Sequence, residues 1–151
     1  MSIDIYTDGS CLGNPGIGGW AFVVCHDDGI ICRWANSQCD TTNNIMELTA
    51  AIKALEYATQ KNMTSVNLYT DSNYLKSGMT QWIVSWKSND WKTSNNKNVK
   101  NVSLWKSLDS YSSKLNIEWI HVKAHADNYY NNMVDRLANE AAHNTVSDVE
   151  F

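Results

Sequence analysis

Several features are scarce in this chain of 151 residues, and each absence excludes a class of protein. No apolar run approaches the roughly 18 residues that cross a bilayer, so we expect no membrane partner. The first residues, Met1–Asp4, lack the basic stretch and the apolar core of a secretory signal. Lysine and arginine number 12 against 16 acidic residues, and the net charge of −4 argues against a protein that holds nucleic acid by bulk charge alone.

Cysteine is also scarce, and its positions contain no Cys-x-x-Cys metal-binding pattern. The four cysteines are Cys11, Cys25, Cys32 and Cys39. In the absence of a secretory signal we expect free thiols and a cytoplasmic location. A two-residue hairpin turn at Asp28-Gly29 would set Cys25 opposite Cys32, where a cross-strand disulfide is the less favoured alternative.

The apolar content of 43% is enough for one packed core. We predict a single domain over residues 1–145 and a short flexible end over residues 146–151. Glycines and the only proline cluster over residues 9–19, which predicts a loop there. Alternating apolar and polar residues on either side of it predict strands over 3–8, 20–26 and 30–35.

The rest of the chain alternates helices with strands. Helical spacing of apolar residues predicts helices around 48–58, from Ser72, around 102–112 and over 131–143, and strands are predicted over 66–70 and 117–122. The first three strands follow one another directly, whereas the last two follow helices. We therefore expect an α/β fold in which a five-stranded mixed sheet, three strands antiparallel and then two parallel, is flanked by helices.

Two of the predicted strands end in the same sequence. Tyr6-Thr7-Asp8 closes the first strand, and Tyr69-Thr70-Asp71 closes the fourth. Sites in open α/β sheets form outside the carboxyl ends of strands, so we expect Asp8 and Asp71 to lie side by side. Two carboxylates at such a short distance repel each other unless a cation separates them or one of them is protonated.

Two further acids lie where helices begin. Glu47 falls in the first turn of the first helix, and Asp135 falls near the start of the last one. Taken alone, each is explained by the favourable interaction of an acid with a helix N-terminus. Taken with the two strand-end aspartates, they predict four carboxylates around one point. Such oxygen ligands select Mg²⁺, with Mn²⁺ as a substitute, and two ions about 3.5–4 Å apart serve phosphoryl chemistry.

A histidine and a basic segment complete the candidate residues. His125 lies in a polar loop ten residues before Asp135, where a near-neutral pKa would suit proton transfer, although loop histidines are also common on solvated surfaces. Residues 82–106 hold four of the seven tryptophans and a net charge of +4, which leaves −8 for the rest. Aromatic rings interleaved with lysines suit a nucleic-acid backbone, and an amphipathic helix with a tryptophan core face explains them equally well.

These motifs, in this order, resemble the type 1 ribonuclease H family of bacteria. The resemblance runs from about Ile3 to Asn144 and rests on residues 7–16, 41–48, 69–72, 82–91 and 100–102 and on the spacing from His125 to Asp135. It implies the five-stranded fold of that family. The implied activity is endonucleolytic hydrolysis of the RNA strand of an RNA–DNA hybrid, leaving 5′-phosphate and 3′-hydroxyl ends, by a monomer.

The resemblance also implies a role for individual residues. Asp8, Glu47, Asp71 and Asp135 correspond to the metal-binding carboxylates, and His125 to a mobile catalytic histidine. Glu47 would also sense a 2′-hydroxyl, the group that distinguishes RNA from DNA. The implied minor-groove contacts are Cys11, Asn14, Asn43, Asn44 and Asn73. The implied pocket for a DNA phosphate contains Thr42 and Asn101, and the implied basic protrusion contains Trp82, Trp86, Lys87, Trp91 and Lys92.

Some positions depart from the family pattern. Asp40 and Ile45 stand where relatives often carry a basic residue, which should weaken phosphate attraction. The loop of His125 contains Ala124, Asp127, Tyr129 and Tyr130 where glycine, proline and an acid are common. Two other functions stay open on the same fold: a hybrid-binding module without catalysis, and a DNA-cutting relative such as an integrase.

Overall fold

The computed structural model describes residues 2–27, 29–123 and 128–148. Three strands come first and are followed by alternating helices and strands, much as the sequence predicts. In chain order they are β1 (Ser2–Gly13), β2 (Gly16–His26), β3 (Gly29–Thr41), α1 (Asn43–Gln60), β4 (Ser65–Thr70), α2 (Asn73–Ser77), a π-helical turn (Gly78–Trp82), α3 (Ile83–Ser88), α4 (Val102–Ser112), β5 (Asn116–His121) and α5 (Tyr129–Asp148). Among these helices, none is both long and apolar enough to span a membrane.

The strands form one five-stranded sheet in the order β3-β2-β1-β4-β5. β1 pairs antiparallel with β2, and β2 pairs antiparallel with β3. β4 pairs parallel with β1 and with β5. The predicted α/β fold, with three antiparallel strands followed by two parallel ones, is confirmed.

The loop predicted over residues 9–19 is wrong. β1 continues to Gly13 and β2 begins at Gly16, so only a tight turn separates them. Gly13 has the positive φ of a turn glycine, whereas Gly19 lies inside β2, where close packing requires glycine. A Cβ on Gly19 would overlap the carbonyl oxygen of Ala138 in α5 and lie 2.7 Å from the amide nitrogen of Ala142. Glycine is therefore needed where a helix backbone passes against the sheet.

The predicted pairing of Cys25 with Cys32 is also wrong. Cys25 pairs with Ile30 and Val24 with Cys32, because the register shifts between these two pairs. Such an irregularity, which adds one residue to one strand, moves every side chain beyond it. Both cysteines are free thiols. Asp28, half of the predicted turn, lies outside the described residues.

Two helical layers cover the sheet and fix the position of its carboxyl end. On one face, α1 and α4 bury Leu48, Leu55 and Trp105 against strand residues such as Phe22 and Leu68. On the other face, α5 buries Met133, Val134 and Ala138 against Tyr6, Ala21 and Val23. Successive strand residues face opposite layers, as strand geometry requires. The ends of β1 and β4 therefore lie between the starts of α1 and α5.

Candidate active site

Three of the predicted carboxylates meet where the parallel pairing of β1 with β4 ends. Asp8 lies on β1, Asp71 directly follows β4, and the pairing of Tyr6 with Tyr69 brings the two strands to the same level. One carboxylate oxygen from each of Asp8, Glu47 and Asp71 lies within 4.8 Å of the others. Asp8 is only 3% exposed and Glu47 only 5%. The structure thus brings three acids together in a largely dry position.

Glu47 is held in place by the backbone of β1. The amide of Gly9 donates a hydrogen bond of 2.8 Å to its Oε1 atom. A Cβ on Gly9 would overlap the backbone of Met46 and Glu47, so only glycine lets the start of α1 approach β1 this closely. Thr42 caps α1, because its side chain accepts a 3.2 Å hydrogen bond from the amide of Ile45. These contacts set the helix register that turns Glu47 toward Asp8.

Asp135, the fourth predicted acid, lies beside this group on α5. It lines the same open cleft as the other three acids, and its charge is among those that raise the pKa of Asp8. Its neighbour one helical turn later, Asn139, points its amide at Asp135, with Nδ2 at 3.5 Å from Oδ1. The four predicted acids thus line one site, with Asp135 at its α5 side.

Without a bound cation, the negative charges of the cleft are close enough to repel one another. Burial raises the pKa of Asp8 well above its ordinary range, and the nearby charges of Glu47 and Asp71 raise it further. Burial and the charge of Asp71 also raise the pKa of Glu47. No lysine or arginine is among the described residues that line the cleft. Oxygen donors without a basic partner are the ligand set that a hard divalent cation prefers, so these residues fit such an ion.

Polar side chains surround the carboxylates. Three of the predicted minor-groove residues line the cleft: Asn43, Asn44 and Asn73. Asn43 and Asn44 open α1 and Asn73 opens α2, and all three are exposed. Sequence reasoning missed four polar side chains in the same lining: Ser10, Ser72, Tyr74 and Asn139. Only Asn139 had a signal in the sequence, namely its position four residues after Asp135 on one helix.

The other two predicted minor-groove residues flank the cleft without lining it. Cys11 donates from Sγ to the carbonyl of Thr41 at 3.4 Å. Asn14 accepts a 3.0 Å hydrogen bond from the amide of Asn43. Both contacts tie the β1–β2 turn region to the start of α1. They place polar groups along the edge from which Asn43 and Asn44 project.

The two residues of the predicted phosphate pocket each have a structural role. Thr42 caps α1, as described above. Asn101 adopts the left-handed conformation before α4, and its Nδ2 donates to the hydroxyl of Tyr74 at 3.2 Å. That hydroxyl also accepts a 3.3 Å hydrogen bond from the indole of the buried Trp105. Asn101 is thereby fixed against the aromatic core beside the cleft.

The tryptophans of residues 82–106 form an aromatic cluster. Trp86 packs on the buried Trp105 with ring centroids 5.2 Å apart, and Trp82 packs on Trp86 at 5.9 Å. Trp82 is 39% exposed, so part of its ring faces solvent. The rings form the core face that one interpretation of this segment expects, and a role of the segment in binding a nucleic-acid backbone stays a prediction.

The lysines lie on the outside of this aromatic cluster. Lys87 donates to Asp109 at 3.2 Å, and Lys92 donates to Asn98 at 3.0 Å. The Nζ atom of Lys106 lies 5.6 Å from the ring centre of Trp91. These contacts orient cations on a surface that carries one acid, Asp90, within residues 82–106.

The predicted catalytic histidine, His125, lies outside the described residues, as do Ala124 and Asp127. The two tyrosines that follow them begin α5. Tyr130 packs on Tyr6 at 5.4 Å between ring centroids, whereas Tyr129 is 70% exposed. Of these departures from the family pattern, Tyr130 thus attaches the start of α5 to β1.

Comparison with known proteins gives a consistent result. The model of the RNase H family matches residues 1–143. Ribonuclease H of Wolbachia sp. subsp. Drosophila simulans is 50% identical over 139 residues, covering 92% of this chain and 94% of that protein. Ribonuclease H of Francisella philomiragia is 48% identical over 136 residues, covering 90% and 88%. The crystal structure of LC9-RNase H1, a type 1 RNase H with the type 2 active-site motif, superposes with a TM-score of 0.84 at 30% identity, covering 95% of this chain and 72% of that one.

Proposed function

Because this chain belongs to the ribonuclease H family, we propose that it hydrolyses the RNA strand of RNA–DNA hybrids and leaves 5′-phosphate and 3′-hydroxyl ends. The observation that carries the proposal is the meeting of Asp8, Glu47 and Asp71 within 4.8 Å in an open polar cleft. Buried acids without a basic partner are costly to a fold, and a site that binds metal and phosphate gives them a use.

We assign Asp8, Glu47, Asp71 and Asp135 as ligands for two Mg²⁺ ions, with Mn²⁺ as a substitute. Such ions, when bound, lower the pKa of an attacking water and stabilise the leaving oxygen of a phosphodiester. The chain itself supplies the arrangement. The Gly9 amide fixes one oxygen of Glu47, and β1 and β4 hold Asp8 and Asp71 at one level. His125 is assigned to proton transfer or product release at the rim.

The polar rim supplies recognition of the hybrid. Asn43, Asn44 and Asn73 carry exposed amides that both donate and accept hydrogen bonds, as groove edges and sugars require. We assign Glu47 a second role beside a 2′-hydroxyl, and Cys11 and Asn14 a place along the minor groove. Thr42 and Asn101 are assigned to a phosphate of the DNA strand, and the protrusion with Trp82, Trp86, Lys87, Trp91 and Lys92 to the DNA backbone.

The remaining assignments concern the whole chain. We propose one domain over residues 1–145 and action as a monomer on the hybrid duplex. The free thiols of the four cysteines suit a reducing compartment, and we propose a cytoplasmic location on that ground.

A single cleavage assay tests the proposal. Labelled RNA–DNA hybrid, duplex DNA and duplex RNA are incubated with the protein in Mg²⁺ and, separately, in chelator. We expect cleavage of the RNA strand of the hybrid alone, in Mg²⁺ alone. Asp71→Asn should lose that cleavage by three orders of magnitude or more, on the order of what removal of a catalytic group costs.

Asp27→Asn is the matched control, since Asp27 is an exposed hairpin residue that carries the same charge away from the cleft. It should cleave like the parent protein. Binding of hybrid without cleavage in any metal would identify a non-catalytic module instead. Cleavage of duplex DNA would identify the DNA-cutting alternative.

A further inference from the structure

We infer that Asn139 is a positioning residue that orients the carboxylate of Asp135 for metal binding, and that Ser10 anchors Asn139 to the sheet. The inference rests on the proposed function, in which Asp135 is a metal ligand. It adds two residues, from β1 and α5, that no sequence motif identified as part of the site.

The contacts form a continuous chain from β1 to Asp135. Ser10 Oγ donates a 2.6 Å hydrogen bond to Oδ1 of Asn139. With its oxygen held there, the amide of Asn139 points its Nδ2 group toward Asp135. Nδ2 lies 3.1 Å from the backbone carbonyl of Asp135 and 3.5 Å from its Oδ1 atom. Every polar atom of the Asn139 side chain is therefore used, and its orientation is fixed by Ser10.

The packing of α5 makes this chain of contacts possible. Ser10 pairs with Gly19 across β1 and β2. Any side chain at Gly19 would overlap the backbone of α5 at Ala138, so the helix rests directly on the sheet at this point. The close approach brings Asn139, the next residue of α5, within reach of a side chain as short as serine. A larger separation would leave Asn139 without its anchor.

Helix propensity gives no other reason for asparagine at this position. Asparagine is less favourable than alanine inside a helix, because its amide competes with backbone hydrogen bonds. Here the side chain folds back over the preceding turn and faces Asp135, four residues earlier on the same face. The position is thus used for a directed contact rather than for helix stability.

The chemistry of the contact suits a metal ligand. Glu47 is held by a backbone amide, whereas the carboxylate of Asp135 depends on a neighbouring side chain to limit its rotation. A donor on Oδ1 limits that rotation before any ion binds. An amide does this without a positive charge, so it does not oppose a cation in the way that a lysine would. Partners of this kind orient metal ligands, and their removal typically weakens metal affinity by about 10–100-fold.

The test measures metal binding directly, apart from activity. Mn²⁺ is titrated calorimetrically into metal-free parent protein, Asn139→Ala, Ser10→Ala and the double variant. We expect Asn139→Ala to weaken Mn²⁺ binding by about tenfold. Ser10→Ala should weaken it by a smaller factor. The double variant should match Asn139→Ala within about twofold, because Ser10 acts through Asn139 and the two effects are not additive.

Three controls separate positioning from other roles. Glu140→Ala should bind Mn²⁺ like the parent. Glu140 is an exposed neighbour of Asn139 on α5, and it forms an ion pair of 3.8 Å with Arg136. Thermal unfolding without metal tests folding, and Asn139→Ala should unfold within a few degrees of the parent since alanine favours the helix. Hybrid affinity in chelator should be unchanged in Asn139→Ala, whereas a residue that contacts the substrate would lose it.

The outcomes also separate this inference from the proposed function. A parent protein that neither binds Mn²⁺ nor cleaves hybrid would overturn the proposed function. If the parent binds Mn²⁺ and cleaves hybrid, and Asn139→Ala binds Mn²⁺ with the same affinity as the parent, only the inference is overturned. Loss of hybrid affinity in chelator with normal Mn²⁺ binding would overturn it as well, since it would make Asn139 a substrate contact.

Discussion

Asp8 and Glu47 are carboxylates that the fold buries without a basic partner among the described residues of their cleft. Burial and mutual repulsion raise both pKa values. A carboxyl whose pKa is higher in the folded than in the unfolded chain binds more protons when folded. The metal-free fold therefore loses stability as pH rises from the unfolded values near 4 toward the raised ones. A salt-bridged carboxylate has the opposite effect, since it makes the fold more stable as pH rises.

The first prediction is that Asp8→Asn stabilises the metal-free protein at pH 7. The amide removes the cost of keeping a buried acid protonated or charged. One pKa unit corresponds to about 1.4 kcal/mol, so we expect a gain of at least about 1 kcal/mol. In a domain of this size that raises Tm by about 2–4 °C. Thermal unfolding in chelator from pH 5 to 8 measures it, and the parent should lose stability more steeply than the variant.

Glu140→Gln is the control for this measurement, because Glu140 is exposed and pairs with an arginine, Arg136, whereas Asp27 pairs with a histidine. This control should give the same pH slope as the parent. An equal slope for Asp8→Asn and the parent would show that Asp8 is not the group responsible. The stabilised variant should at the same time be unable to cleave, which would identify the acid as kept for function at a cost in stability.

Individual residues of the site differ in how far the sequence reveals them. Asp8 and Asp71 each come directly after a run of strand-forming residues, so their meeting could be predicted, although β1 continues beyond Asp8. Glu47 and Asp135 could be predicted only by adding them to that pair. The contact between Ser10 and Asn139 could not be predicted, since it joins residues 129 positions apart and depends on a close approach of helix and sheet at a glycine.

Whole elements show a related limit. Glycine marks turns in most sequences, and residues 9–19 therefore indicated a loop. In the fold, Gly9, Gly18 and Gly19 lie inside strands where α1, β3 or α5 side chains and backbones come close. The sequence alone does not distinguish a glycine that turns the chain from one that admits a neighbour. The mixed sheet, with three antiparallel strands and then two parallel ones, by contrast followed from the order of elements and was confirmed.

The second prediction concerns the protrusion formed around α3 and the loop before α4. Lys87→Ala combined with Lys92→Ala should weaken hybrid binding on the order of tenfold at moderate salt. It should also reduce the slope of log affinity against log salt, by up to about 0.9 for each phosphate that a lysine no longer neutralises. Lys87 already pairs with Asp109 at 3.2 Å, so its share should be the smaller one. Binding titrations in chelator at several salt concentrations measure both quantities.

Lys61→Ala combined with Lys114→Ala is the matched control for charge. Both lysines are exposed; one follows α1, the other precedes β5, and both lie at the sheet end opposite the cleft. This variant should keep the salt slope of the parent. Equal slopes for all three proteins would remove the protrusion from the binding surface.

At the scale of the molecule, the net charge of −4 divides into +4 over residues 82–106 and −8 elsewhere. Four of the negative charges belong to the proposed ligands, and bound Mg²⁺ would neutralise them. These ligands come from β1, α1, the end of β4 and α5, so they meet only in the folded chain. An ion that binds there stabilises the folded state over the unfolded one.

The third prediction follows from this coupling between metal and fold. Mg²⁺ should raise Tm in proportion to the logarithm of its concentration above the dissociation constant. A concentration a hundred times that constant should stabilise by about 2.7 kcal/mol, or about 5–10 °C in a domain of this size. Sodium chloride of equal ionic strength controls for screening, and Asp71→Asn controls for the site. Equal stabilisation of the parent and Asp71→Asn would show that the ion acts elsewhere. No stabilisation of the parent at concentrations that support cleavage would show that metal binds only together with the hybrid, whose phosphate then completes the ligand set.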